Sequence, residues 1–326
     1  MKRRGTTLLE LLVVLTLLAL LLGVGVGVAG RLDFSRRSAP VEVRRTLEEA
    51  RAFAAARGFP ARVQFDRKAG SWRRFGMRPV GTWHFEGDGT DGAFGIRLDL
   101  AGGATSIVDG RTGGALLLPR GGHAEAAVDR LATWQSRDGI AVDVDVRPDA
   151  GGSGLVVSRG KSWRLFLKPD GAAAAAVSRV ISGEEGSATG VELLVESAPG
   201  SVVEGRWTSL GFVYDGAFLS LTVNGVVRAR ASAESEPLAG DPAALRIGDP
   251  RRGFAGAVDS LRVSAVVAEP PGFLPEGMEF VEGGEIRFDA SGNLDPTVHP
   301  GEVGVGLRTA DGAVRAIRVL PYGTIR

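Results

Sequence analysis

Between residues 80 and 267 the chain is punctuated by Gly and Asp turns roughly every eight to twelve residues, and apolar and polar side chains alternate between them. The clearest stretch is DGIAVDVDVRPD. Here Ile140, Val142, Val144 and Val146 fall on one face of a strand, and Asp143 and Asp145 fall on the other. SGLVVSRG, SWRLFLKPDG, ATGVELLVESA and GRWTSLGFVYDG continue the pattern. AFLSLTVNGVVRARA reads as a hairpin turning at Asn224-Gly225, a dipeptide that tolerates the two positive φ angles of a tight turn. ALRIGDPRRGFAGAVDSLRVSAVV closes the series, and 48 glycines in 326 residues suit so many turns. The pattern predicts an all-β sandwich.

A length of 326 residues is enough for two domains. With 39 Lys and Arg against 38 Asp and Glu, no global basic field points to nucleic acid, and no nucleic-acid partner is expected. The absence of Cys excludes disulfides, thiolate-ligated zinc and thiol catalysis.

The N-terminus follows different rules. From Leu11 to Ala29 the only polar side chain is Thr16, about the length a helix needs to cross a bilayer, and Lys2, Arg3 and Arg4 precede it. A secretory signal cleaved near Ala29 fits these features, but Glu10 does not. A carboxylate costs about 2.5–3.5 kcal/mol at the centre of an inserted helix. Beyond Gly30, VEVRRTLEEARAFAAARG places Val43, Leu47, Ala50 and Ala54 on one helical face. Pro40 suits the first turn of that stretch, and Gly58 and Pro60 stop it. ARVQFD and SWRRFG then read as a hairpin around Lys68–Gly70.

RRGTTLLELLVVLTLLALL resembles the class III leader of type IV pilins and type II secretion pseudopilins. That resemblance implies cleavage by a prepilin peptidase after Gly5 and a new, N-methylated terminus at Thr6. It also implies an assembly role for Glu10, whose charge would pair with the terminal amine of a neighbouring subunit. The chain departs from the family in having Thr6 rather than Phe, no mid-helix proline, and glycines at 23, 25 and 27. EARAFAAARGFPARVQFD resembles the start of the minor pseudopilin H head, and Phe288, Gly292, Gly323 and Ile325 match its ending.

The intervening residues resemble a laminin-G-like/concanavalin A-like jelly roll. The resemblance is carried by WHFE at Trp83, DGRTGGAL at Asp109, WTSLGFVYDG at Trp207, LTVNG, RIG and FAGAVDSLRV. Together the resemblances imply a long N-terminal α-helix plus an α+β pilin head with a small antiparallel sheet, carrying an inserted all-β jelly-roll sandwich. The expected parts are a leader over 1–5, a transmembrane and assembly helix over 6–58, a head over 59–79 and 268–326, and the sandwich over 80–267. The implied protein is a minor pilin or pseudopilin anchored in the bacterial inner membrane, with a periplasmic head, built into a filament. Its implied partners are other pilin or pseudopilin subunits, the peptidase, and a glycan or protein ligand of the sandwich. The alternative is an adhesin-like binding protein at a filament tip, and no catalysis of its own is expected.

Some candidates for chemistry remain. Asp143 and Asp145 could form the carboxylate pair of a glycoside hydrolase, although the Glu-x-Asp strand of glucanases on this fold is missing. The plainer reading is a solvated strand face. Asp88, Asp91 and Asp109 fall in loops where a calcium ion finds oxygen ligands, and calcium is the one cofactor considered, with Asp88 and Asp109 as its ligands. His84, His123 and His299 lack metal spacing, and Ser136 lacks a nucleophile elbow. GDGTDGAFG precedes a strand pattern rather than a helix and does not read as a phosphate loop. Trp83, Trp134, Trp163 and Trp207 either stack on sugar rings or fill a core. Arg73–Arg74 and Arg251–Arg252 read as solvated turns.

Overall fold

A computed structural model describes residues 16, 38–56, 59–87, 95–126, 138–182, 188–233, 237–239, 241, 243–251, 253–309 and 312–326. The chain divides into two compact units. One is drawn from residues up to Gly76 and from Glu269 onward, and the other is Met77–Ala268.

In the first unit a helix covers 38–56. Pro40 lies among its first described residues. Val43, Leu47, Ala50 and Ala54 are wholly buried, as their spacing predicts. They share a core with Val63, Phe65, Trp72, Ile286 and Phe288. Trp72 Nε1 donates to Thr46 Oγ1 at 3.1 Å, and Phe280 meets Phe65 and Trp72 edge-on at 5.4 and 6.3 Å.

Strand Ala61–Asp66 pairs antiparallel with Glu285–Phe288 on one side and with Ser71–Phe75 on the other. Asp66 Oδ1 accepts from Lys68 N and Ala69 N and so holds the intervening turn. Glu279–Glu282, Val303–Arg308 and Val314–Val319 form a second sheet. Gly323, at φ +74, closes the C-terminal turn. A Cβ there would stand 2.1 Å from the Gly292 carbonyl oxygen and 2.8 Å from Arg51 Nε, so only glycine fits.

The expected long N-terminal helix with an α+β pilin head is corrected. The helix described over 38–56 is short, and, apart from the helical Thr16, the other described elements are strands. Among the described residues no helix is long and apolar enough to cross a membrane, so the inner-membrane anchor is not supported. Gly5, Thr6 and Glu10 lie outside the described residues.

The second unit is a sandwich of two antiparallel sheets. One runs Val226–Ser232, Phe218–Val223, Thr208–Tyr214, Ile140–Pro148, Gly256–Ala268, with Ala115–Leu118 and then Thr105–Ile107 beyond. The other runs Ala188–Glu196, Ala173–Ser182, Trp163–Leu167, Gly154–Arg159, Leu245–Gly248, His123–Ala126, Leu98–Ala101. The alternation read from the sequence holds: Ile140, Val142, Val144 and Val146 point inward and are at most 2% exposed. Trp163 packs against Phe212 with ring centroids 5.9 Å apart, and Trp83 donates to the Ile96 carbonyl at 3.0 Å. Asn224 and Gly225 take φ +50 and +75 at the hairpin tip, as that dipeptide demands.

One irregularity shapes the first sheet. Asp259 lies opposite Asp145 and Arg262 opposite Asp143, so two residues, Ser260 and Leu261, face the single Val144. This is a β-bulge, and Ser260 takes φ +50 to form it. Because of the extra residue, Asp259 and Arg262, three apart, both point outward, while Val258, Leu261 and Val263 stay in the core.

Candidate functional site

Strand Ile140–Pro148 turns Asp143, Asp145 and Arg147 to the outer face of its sheet, because their neighbours fill the core. A glycine-rich loop, 108–114, engages two of these three side chains. Asp109 pairs with Arg147 at 2.8 Å, and Arg111 pairs with Asp145 at 2.6 Å. Arg111 also donates to Ser209 Oγ, and Thr112 N donates to the wholly buried Asp259 at 3.0 Å. Gly110 N donates to the Gly113 carbonyl at 2.9 Å within this loop, which ties it into a tight turn.

Asp143 is left over. It accepts no hydrogen bond and forms no ion pair among the described residues. It lines a groove of about 330 Å³ together with Asp145, Ser209, Thr222, Ser260 and Arg262. Gly211 makes room for it: a Cβ at 211 would stand 2.6 Å from Asp143 Oδ1 and 2.8 Å from Thr222 Oγ1. The surrounding hydroxyls direct their protons elsewhere. Ser209 Oγ donates to Asp145 at 2.5 Å, Thr222 Oγ1 to the Gly211 carbonyl at 3.1 Å, and Ser260 Oγ to Asp259 at 3.2 Å. Burial pushes the Asp143 carboxyl up from 3.8 to about 6, Arg262 acts against that rise, and Asp145 adds to it. The arrangement is thus an acceptor-rich groove around a carboxylate that has no donor of its own.

This revises the reading of Asp143 and Asp145 as a solvated face, since both are part-buried and Asp145 is ion-paired. Ser209, Gly211, Thr222, Ser260 and Arg262 were not singled out from the sequence, although WTSLGF and VDSLRV carry four of the five.

The other candidates do not converge. Asp88, Asp91, Trp134 and Ser136 lie outside the described residues. Asp109 is engaged by Arg147, and among the described residues no group of three or more His, Cys, Asp and Glu is placed to hold a metal ion. Trp83 and Trp163 are core residues, whereas Trp207 lies beneath the Arg147 guanidinium at 5.0 Å. Arg74 is no solvated turn: it grips Glu269 through two bonds of 2.6 and 2.8 Å. Arg251 is exposed in a turn closed by Asp249. A second cavity, of about 500 Å³, includes Phe85, Glu86, Ile107 and Val108; its one charged lining residue, Glu86, accepts from Gly114 N at 3.3 Å.

Of the histidines, His84 is exposed and His123 Nδ1 lies 3.2 Å from the Gly121 carbonyl. His299 Nε2 accepts from Arg287 N at 3.0 Å, which requires the neutral ring. Burial lowers its pKa below 6.5; Asp295 and Glu285 oppose the shift and Arg287 adds to it. A depressed folded pKa contributes stability above 6.5 that is lost as pH falls through the folded value. The His299 contribution therefore falls as pH drops below 6.5, against the opposite trend of Asp143, so His299→Gln, which keeps an acceptor, should lose less melting temperature than wild type between about pH 7 and pH 5. A difference between variant and wild type that does not change with pH would contradict the assignment.

Comparison with known proteins finds a family model that matches part of the sandwich. Residues 120–270 match the family model described as the concanavalin A-like lectin/glucanases superfamily. No curated protein matches the chain. Among solved structures, domain 4 of AbnA, a GH43 extracellular arabinanase from Geobacillus stearothermophilus in complex with arabinotriose, is 16% identical. The match covers 60% of this chain and 95% of that one, with a TM-score of 0.43. The binding domain of Paraclostridial Mosquitocidal Protein 1 is 13% identical, over 58% of this chain and 49% of that one, at 0.45. The receptor binding domain of botulinum neurotoxin D is 7% identical, over 58% and 50%, at 0.44. Likeness at these scores decides nothing about function. The pilin and pseudopilin reading, with its subunit and peptidase partners, is withdrawn: the matching family model is of another kind, and the described helix is short.

Proposed function

We propose that the sandwich is a carbohydrate-binding module without catalysis of its own, and that its ligand seats in the groove at Asp143. The supporting observation is the Asp143 carboxylate, which is partly withdrawn from water while each neighbouring hydroxyl donates elsewhere. Such a group needs donors from outside, and a sugar offers several hydroxyl donors at fixed spacing. The lectin and glucanase character of the matching family agrees with that chemistry.

A second reading has one observation in its favour. A carboxyl lifted to about 6 beside the ion-paired Asp145 is how a general acid and its partner are set apart. Both readings are tested by screening the full chain against a glycan array and incubating it with the glycans it retains. Binding is expected, with at least a tenfold loss in Asp143→Asn, about 1.4 kcal/mol or more. No new reducing ends should appear. Release of reducing ends that disappears in Asp143→Asn would replace the module with an enzyme.

A further inference from the structure

Resting on that reading, we infer that the sugar seated at Asp143 carries a primary ammonium group, so that the ligand class is an amino sugar with a free amine. The groups around the groove favour this choice. Asp143 offers carboxylate oxygens, Thr222 and Ser260 offer hydroxyl oxygens whose protons are already donated to the Gly211 carbonyl and Asp259, and Ser209, which donates to Asp145 and accepts from Arg111, has one lone pair left. Four acceptors therefore stand around one space. An ammonium has three donors and no acceptor, whereas a sugar hydroxyl brings an acceptor along with its donor. A carboxylate ligand brings only acceptors and would meet Asp143 as a like charge.

The charge balance favours the same ligand. Strands Thr208–Tyr214 and Phe218–Val223, which flank Asp143 on one side, contain no charged residue. On its own strand Asp145 is neutralised by Arg111, and on the other flank Asp259 is held by Thr112 N and Ser260 Oγ. Arg262 is the remaining cation. It is exposed and makes no ion pair among the described residues. A part-buried carboxylate without a paired cation gains more from an ammonium than from a neutral hydroxyl, because charge-assisted hydrogen bonds are roughly twice as strong. Arg262 acts here as a competitor, since it already lowers the proton affinity of Asp143 and would repel an incoming ammonium.

The test is calorimetric titration of the full chain with three trimers: glucosamine, N-acetylglucosamine and galacturonate. The glucosamine trimer is expected to bind at least tenfold more tightly than the other two at about pH 6.5. Its affinity should fall at lower pH, as Asp143 takes up a proton, and at higher pH, as the amine loses one. Asp143→Asn should erase the preference, and Arg262→Gln should raise affinity for the glucosamine trimer at least twofold while leaving the N-acetylated trimer unchanged. Equal or tighter binding of the N-acetylated or galacturonate trimer overturns the inference and leaves carbohydrate binding standing. So does weaker glucosamine binding in Arg262→Gln. Binding of no sugar, here or on the array, overturns both the inference and the proposed function.

Discussion

Asp143→Asn is expected to make the protein more heat-stable at about pH 8 and no more stable at about pH 4. The carboxyl rises from 3.8 to about 6 on folding, a difference of about 2.2, and at 1.36 kcal/mol each this is about 3 kcal/mol. A raised folded pKa contributes stability that is complete below 3.8 and lost as pH rises through about 6. Above that pH the wild-type fold carries an ionised group it would hold more easily as the acid. Asparagine removes the charge and keeps the shape, so the ceiling on the gain is about 3 kcal/mol. For a sandwich of this size that is roughly 6–12 °C in melting temperature. The same variant should lose its sugar ligand. A melting temperature that does not rise at alkaline pH would mean that Asp143 is solvated, and the groove would then lack the property on which its assignment rests. Stability traded against a site in this way is common where a group is held for a ligand rather than for the fold.

Trp163→Ala is expected to have the largest effect on stability. The ring is 2% exposed and packs against Phe212, in a core built from both sheets. Truncating such a side chain costs about 3–5 kcal/mol, because the neighbours cannot collapse into the space left behind. A fall of roughly 10 °C or more in melting temperature is expected. The sequence alone left open whether this tryptophan was a sugar platform. A variant that melts within two degrees of wild type, by the scale that assigns about 2–4 °C to each kcal/mol, would reopen that question.

How far the sequence could be read depended on the period of its pattern. A two-residue alternation identifies a strand and its buried face without further information, which is why Ile140–Pro148 and the Asn224-Gly225 hairpin were legible. The helix around Leu47 was legible for the same reason, with its own period. The groove was not. It is assembled from four strands drawn from three separate stretches of the sequence, and its defining property is that hydrogen bonds go elsewhere, which no local pattern encodes. In the sequence Asp143 is like any outward residue; what sets it apart is Gly211, nearly seventy positions away, which lies opposite it in register. The bulge was hidden as well, because Ser260 has neither the glycine nor the asparagine that usually marks a positive φ. The leader-like opening suggested a filament subunit, but the described helix is short and the matching family is another one.

The residue that makes the bulge could be removed without disturbing the pairing around it. If Ser260 were absent, Leu261 would lie opposite Val144 alone, Asp259 and Arg262 would keep their partners, and every side chain would keep its face. What would go is a backbone strain of about 1–2 kcal/mol and the local bend that comes with an extra residue, together with a hydroxyl at the rim of the groove. The pairing of this sheet and the hydroxyl that position 260 gives to the groove are therefore separable: one residue carries the second and is not needed for the first.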